Sequence, residues 1–328
     1  MIRLGVIYGG ISTEHDVSIM SAKSVIDNLD KEKYEIHEIY INEYGKWFEN
    51  DEEIYNLIWK LKELDVVFPV LHGLGGEDGT IQGMLELLKV PYVGCGVLAS
   101  SVGMDKVYTK IVFEKAGIPQ APYIYIKRIE DEYVIVNDNF EEQEFKIEKI
   151  TSKLKYPMFV KPSNSGSSVG VKKVINDQEL KMAIEYAGQY DTKILVEQGI
   201  DGKEVECAIL DGKEVTSSTV GEIMSAQDFY SFDAKYNIPE SKTVIPAQIT
   251  EAQIEEIRKL AVRAFKAIDG NGLSRVDFFV EKETNKIYIN EINTMPGFTK
   301  ISMYPKLFEA VGISYSELLD KLIENAMK

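Results

Sequence analysis

Two short runs near the carboxyl end constrain this chain most. Ser274-Arg275-Val276-Asp277-Phe278-Phe279-Val280 and Ile287-Tyr288-Ile289-Asn290-Glu291-Ile292-Asn293 are rich in β-branched and aromatic residues, with the polar stretch Lys282-Glu283-Thr284-Asn285-Lys286 between them. This pattern predicts a β-hairpin with a loop of roughly five residues. Folded about Thr284, the hairpin sets Asp277 opposite Glu291 and Arg275 opposite Asn293. Side chains alternate faces along a strand, so these four polar groups share one face. Like charges directly opposite each other destabilise a sheet. Two carboxylates and an amide gathered there therefore call for a counter-ion. An oxygen-only set with few protein ligands suits Mg²⁺ shared with phosphates. The competing reading is a solvated edge hairpin.

The first hundred residues follow a different pattern. Leu4 to Tyr8 is a short apolar strand ending in Gly9-Gly10, about Val17 to Asn28 reads as a helix, and Tyr34 to Ile41 as a second strand. Asp65 to Val70 is a third strand, Gly79 to Lys89 a helix, and Pro91 to Gly94 a brief strand. Strands alternating with helices imply a parallel sheet covered by helices, here an N-terminal α/β domain over 1–103. A second unit starts near Met104-Asp105-Lys106. Its helix Lys106 to Ala116 stops at Gly117-Ile118-Pro119, a glycine-then-proline ending. Glu141 to Lys155 reads as an exposed helix of mixed charge. Strands are expected at Met158–Lys161, Lys193–Glu197 and Cys207–Leu210, and helices at Gln178–Ala187, Thr250–Ile268 and Tyr315–Ala326. Thr250 and Gln253 have the spacing of a helix-capping box. These segments divide into units over 104–204 and 205–328.

Composition excludes several classes of function. The 328 residues carry a formal charge of −16, whereas a nucleic-acid partner calls for a basic footprint. Cys95 and Cys207 sit among apolar or small neighbours and read as buried thiols. No apolar run reaches membrane-spanning length, and Met1 leads straight into a strand pattern without a cleavage site. The cytoplasm is the expected location, with no membrane partner.

Three loops carry candidate chemistry. Lys161-Pro162-Ser163-Asn164-Ser165-Gly166-Ser167-Ser168-Val169-Gly170 follows a strand and combines small residues with hydroxyls. It could cradle phosphate through backbone N–H groups, or it could be a surface turn. It contains G-x-S-x-G, but a hydrolase elbow needs a histidine later in the chain, and His15, His37 and His72 all come earlier. His72-Gly73-Leu74-Gly75-Gly76-Glu77-Asp78-Gly79 follows the strand ending at Val70. Such strand ends face the ligand crevice of an open α/β sheet, so this is a substrate loop or a flexible loop capped by Asp78. Gly9 to His15 faces the same crevice, where Glu14 is either an anchor for a ligand ammonium or a solvated helix-start residue.

Taken in order, these segments resemble the D-alanine–D-alanine ligases of the ATP-grasp superfamily over essentially the whole chain. The matching residues are Gly9-Gly10 with Ser12-Thr13-Glu14 and Val17-Ser18, His72-Gly73 with Gly76-Glu77-Asp78-Gly79, Met104-Asp105-Lys106, Lys161-Pro162-Ser163, Gly166 to Gly170, Lys235-Tyr236, Arg275-Val276-Asp277, and Glu291-Ile292-Asn293-Thr294 with Pro296-Gly297. The resemblance implies an α/β and α+β chain, an N-terminal open parallel α/β domain followed by a two-part ATP-grasp fold. It implies that ATP phosphorylates a first D-alanine and that the amine of a second attacks the acyl phosphate, giving dipeptide, ADP and phosphate for peptidoglycan precursors. A D-alanine–D-serine ligase or another ATP-grasp carboxylate–amine ligase is the alternative.

The same resemblance implies roles for individual residues. Asp277, Glu291 and Asn293 would hold two Mg²⁺ (or Mn²⁺). Lys106, Lys161 and Lys235, with Ser167, would meet ATP phosphates; Glu197, Gln198 and Ile200 would read adenine, and Glu204 the ribose. Gln198-Gly199 stands where many members have lysine and an aromatic residue, but glutamine can still donate to adenine. Glu14 would bind the first ammonium, His72 would line the substrate site, and Arg275 with the Gly297 N–H would face the oxyanion. Ser302 and the Met303 backbone would take the second carboxylate, and Ser167 and Tyr236 would join Glu14 in a hydrogen-bonded triad. A lid over about 222–246 and a homodimer complete the expectation.

Overall fold

The computed structural model describes residues 1–224 and 242–328. The first sheet is built from β1 (Ile2–Gly9), β2 (Tyr34–Ile41), β3 (Trp47–Glu49), β4 (Glu52–Glu53) and β5 (Val66–Pro69), in the order β4-β3-β2-β1-β5. β1 pairs in parallel with both β2 and β5, as the strand–helix alternation predicted, and β3 and β4 add an antiparallel edge. Its helices are α1 (His15–Asn28), α2 (Leu57–Lys62), α3 (Thr80–Leu88) and α4 (Val97–Met104). The expected strand at Pro91–Gly94 is reduced to one bridge between Val67 and Tyr92. Gly79, in a left-handed conformation at φ 92°, caps α3 in place of Asp78, whose carboxylate instead accepts from the N–H groups of Gly75 and Thr80.

After α5 (Lys106–Lys115), the chain forms β6 (Tyr123–Ile129), β7 (Glu132–Val136), β8 (Glu142–Glu144), α6 (Ile147–Thr151), β9 (Met158–Pro162), β10 (Lys172–Val174), α7 (Asp177–Ala187) and β11 (Lys193–Gln198). The strands make an antiparallel sheet ordered β10-β9-β11-β6-β7-β8. The helix expected over Glu141–Lys155 is corrected here: its first residues are the outermost strand, β8, and only Ile147–Thr151 is helical. A charged, exposed edge strand and a solvated helix have similar compositions, and charge is a common device for protecting a sheet edge.

The third sheet contains β12 (Gly202–Leu210), β13 (Thr216–Met224), β14 (Lys242–Val244), β15 (Leu273–Glu281) and β16 (Ile287–Asn293), in the order β14-β13-β12-β15-β16, with α8 (Glu251–Ala267) packed on one face. Thr250 and Gln253 form the expected capping box of α8. β12 begins at Gly202, so the boundary expected at 204/205 runs through a strand. Two last helices, α9 (Met303–Glu309) and α10 (Tyr315–Ala326), turn back to the start of the chain. Leu4, Val6 and Phe68 of the first sheet share one buried cluster with Phe298, Tyr304, Phe308 and Leu318. The Phe68 and Phe298 rings meet edge to face at 5.4 Å, a favoured aromatic geometry. This packing brings the C-terminal loop over residues 294–302 against the ends of β1 and β5.

Candidate active site

A cavity of about 910 Å³ lies where the three sheets converge. The Glu14 loop follows β1 and the His72 loop follows β5, two adjacent parallel strands, so both reach the same edge. Gly9 and Gly10 have φ of 89° and 95°, and a Cβ on Gly9 would stand 2.1 Å from the Ile41 carbonyl. Only glycine makes this turn without strain. The cavity gathers Glu14, His72, Lys106, Lys161, Ser167, Glu197, Gln198, Ile200, Glu204, Arg275, Glu291, Asn293, Gly297, Ser302 and Met303. Lys235 and Tyr236 lie outside the described residues. The ends of the expected lid are paired across β13 and β14, Glu222 with Val244 and Met224 with Lys242.

The Glu14 carboxylate is packed between two loops. A Cβ on Gly166 would come within 2.7 Å of Glu14 Oε1, and one on Gly73 within 3.4 Å. These glycines let loops from two different sheets close around one buried acid. Ser167 and Ser168 have φ of 49° and 60°, a conformation that costs non-glycine residues energy. The Ser165 hydroxyl donates to Val169 O at 2.7 Å, and Lys106 Nζ donates to Ser165 O at 2.5 Å. Ser163 is held by Asp105, its hydroxyl donating at 2.5 Å, and Asp105 also pairs with Lys193. The serine-rich loop is thus tied to the start of α5.

His72 is held through both ring nitrogens. Its Nδ1 lies 3.1 Å from Met295 O, which can only accept, so Nδ1 carries the proton and Nε2 accepts from the Ser21 hydroxyl at 2.9 Å. Burial lowers the His72 pKa, which favours this neutral ring. Glu77 grips the same backbone: Oε1 accepts from Gly73 N–H at 2.8 Å and Oε2 from Met295 N–H at 3.3 Å. Desolvation and the nearby Glu14 charge push the Glu77 carboxyl up to about 8. Glu77 belongs to the glycine-rich motif that follows β5, and its backbone contacts depend on the fold rather than on that motif. At Ser302, the hydroxyl accepts from Thr299 N–H at 2.9 Å, and a Cβ on Gly297 would lie 2.8 Å from it.

On the second sheet, Glu197 is clamped between two lysines. Lys110 Nζ stands 2.5 Å from its Oε1 and Lys161 Nζ 2.8 Å from its Oε2. Burial alone would raise the Glu197 pKa, but the two lysines bring it down to about 2. Burial also lowers Lys110, whereas at Lys161 the Glu197 charge outweighs burial and raises the pKa. Lys110 was missed from sequence; it lies four positions after Lys106, on the same face of α5, the one signal available. Glu197 spends both oxygens on lysines here, and Gln198 Oε1 accepts from Lys155 N–H at 3.0 Å.

On the third sheet the predicted register holds: Asp277 pairs with Glu291 and Arg275 with Asn293. Glu291 and Asn293 face the cavity; Asp277 sits beneath it, 2% exposed. Arg275 clasps Asp277 through Nε to Oδ1 at 2.8 Å and Nη2 to Oδ2 at 2.7 Å, and Asn293 Nδ2 donates to Oδ2 at 3.1 Å. Glu206, also missed, places Oε2 3.0 Å from Arg275 Nε. It lies two positions after Glu204, on the same face of β12. Asp277, Glu291 and Asn293 supply only oxygen ligands for a cation, on adjacent strands at the cavity. That donor set fits Mg²⁺ or Mn²⁺ and would suit a soft metal poorly.

Comparison with known proteins points the same way. The family model described as "D-ala D-ala ligase C-terminus" matches residues 112–324, and the one described as "D-ala D-ala ligase N-terminus" matches 3–60 and 56–95. A D-alanine–D-alanine ligase of Acetivibrio thermocellus is 50% identical, the match covering 99% of this chain and 96% of that one. One from Clostridium acetobutylicum is 46% identical over 99% of this chain and 97% of the relative. Among solved structures, the VanG D-Ala:D-Ser ligase of Enterococcus faecalis superposes with a TM-score of 0.86 at 35% identity, covering 99% of both chains. The D-alanine-D-alanine ligase of Coxiella burnetii gives 0.83 at 35% identity, covering 99% of this chain and 94% of that one.

Proposed function

The chain belongs to the D-alanine–D-alanine ligase family, and from that premise we propose how its cavity divides the work of joining two D-alanines at the expense of ATP. The carrying observation is the register of β15 and β16, which sets Asp277, Glu291, Arg275 and Asn293 together in one cavity with Glu14 and the serine-rich loop. The protein is an ATP-dependent ligase of cell-wall precursor synthesis. Its three-part division is proposed along 1–103, 104 to the end of β11, and β12 to the carboxyl end.

Phosphoryl transfer is chiefly positioning and charge neutralisation. In the proposed arrangement, Glu14 holds the ammonium of the first D-alanine. Lys106, Lys161 and Lys235 neutralise phosphate oxygens, with Ser167 donating beside them. Adenine lies along Glu197, Gln198 and Ile200, and Glu204 takes the ribose hydroxyls. Asp277, Glu291 and Asn293 would hold Mg²⁺ or Mn²⁺, which would supply charge neutralisation for the phosphates. Arg275 and the Gly297 N–H face the oxygen that gains charge when the second amine attacks the acyl phosphate. Ser302 and the Met303 backbone receive the second carboxylate, and His72 acts through Met295, whose loop leads to Gly297. A lid over about 222–246 would keep water from the acyl phosphate, the role assigned to Tyr236 with Ser167 and Glu14. A homodimer and a cytoplasmic location belong to the same proposal; among the described residues no helix is long and apolar enough to cross a membrane.

The test is phosphate release and product analysis with D-alanine alone and with D-alanine plus D-serine. D-alanyl-D-alanine should dominate both; a preferred mixed product would move the assignment to the D-serine-forming type. Gly166→Ala probes the Glu14 pocket. The added Cβ meets the end of the Glu14 side chain and no backbone atom closer than 3.8 Å, so the carboxylate moves while the fold stands. The KM for the first D-alanine should rise about tenfold, equivalent to about 1.4 kcal/mol of lost binding, with the KM for ATP little changed. An unchanged D-alanine KM would remove Glu14 from that role.

A further inference from the structure

Arg275 is shared by two acids. Its Nε carries one hydrogen, yet Asp277 Oδ1 stands 2.8 Å and Glu206 Oε2 3.0 Å from that nitrogen. Both acids are nearly sealed from solvent, and Glu206 lies directly across from Asp277 in the β12–β15 ladder. Asp277 is committed on both oxygens, to Arg275 and to Asn293. Oδ1 still has a lone pair to offer a cation, but a cation there competes with the guanidinium for the same negative charge and weakens that hold. A buried guanidinium that loses its anion is strongly disfavoured. Glu206 already touches the edge of the guanidinium that Asp277 would release.

We propose that Glu206 is a positioning residue: it retains the Arg275 guanidinium when Asp277 turns its carboxylate towards a divalent cation. The inference rests on the metal assignment above. It makes Glu206 part of how that site loads, although Glu206 need not touch the cation. Arg275 stays aimed at the reacting acyl group because one of its two anions never leaves it.

The test measures cation binding without turnover, by titrating Mn²⁺ into the full-length protein with a non-hydrolysable ATP analogue and following the paramagnetic resonance signal of free Mn²⁺. Glu206→Gln keeps size and removes the charge, and should weaken Mn²⁺ binding about tenfold, the scale of a partly screened buried-charge contact. In an Arg275→Met background the same change should have little further effect, because a residue acting through Arg275 has nothing left to act on. Equal weakening in both backgrounds would mean Glu206 acts only as a distant charge, and would overturn the proposal. No weakening in the native background would also overturn it. Glu206→Asp keeps the charge but withdraws it from Nε; it should weaken binding too, and it serves if the glutamine variant fails to fold. Asp277→Asn tests the premise separately. If Asp277→Asn leaves Mn²⁺ binding intact, the metal assignment fails and the role of Glu206 falls with it. If only the Glu206 variants leave it intact, the metal assignment stands and this inference alone is lost.

Discussion

Replacing Glu291 with glutamine should cut turnover about a thousandfold while leaving the fold in place. Glu291 faces the cavity directly across β15–β16 from Asp277, and glutamine keeps its size and one of its oxygens. Its charge is what disappears. A unit charge about 4 Å from another is worth about 4 kcal/mol at an effective dielectric constant of about 20. Against a transition state that gathers phosphate charge, this corresponds to about three orders of magnitude in rate. Phosphate release at saturating ATP, D-alanine and Mg²⁺ measures the effect, with a thermal melt to confirm the fold. Turnover near the native value would remove Glu291 from the metal site and the proposed mechanism with it.

Glu197→Gln should have the largest effect on stability. Glu197 is the shared anion of Lys110 and Lys161, at 2.5 and 2.8 Å, and Lys110 is 3% exposed. Removing one partner of a buried ion pair leaves uncompensated charge, at a cost of about 3–5 kcal/mol. Urea unfolding at neutral pH measures it; a loss below about 1 kcal/mol would show that the lysines find water or another partner. The pH dependence has a defined direction. Glu197 titrates near 2 when folded, against 4.5 for an ordinary glutamate. Its contribution is therefore complete above about pH 4.5 and is lost as pH falls from there towards 2. The variant's stability should decline less steeply through that acid range than the native protein's. Both lysines line the cavity, so weaker ATP binding should accompany the loss.

Much of the site was legible because its signals are local. The alternation of faces in two seven-residue runs was enough to place Asp277 against Glu291 and Arg275 against Asn293, and the ladder has that register. A turn rich in glycine and hydroxyls after a strand marked the Gly166–Gly170 loop, and a threonine three residues before a glutamine marked the start of α8. The Glu141–Lys155 segment shows where locality fails. Glu142–Glu144 is exposed at every position, so burial imposes no period on it, and strand and helix look alike.

By itself, the sequence determined the parallel core of the first sheet, the hairpin register, most helix boundaries and a family resemblance strong enough to name a chemistry. These depend on periodicity, caps and turns, which act between near neighbours in the chain. The tertiary structure alone decided which distant groups share one charge or one hydrogen bond. Lys110 and Lys161 on Glu197, Glu206 on Arg275, and His72 and Glu77 on the Met295 backbone join residues 36 to 223 positions apart. No spacing rule encodes such partners. They are selected by burial, because a charge or polar group removed from water must find its complement wherever the fold supplies one.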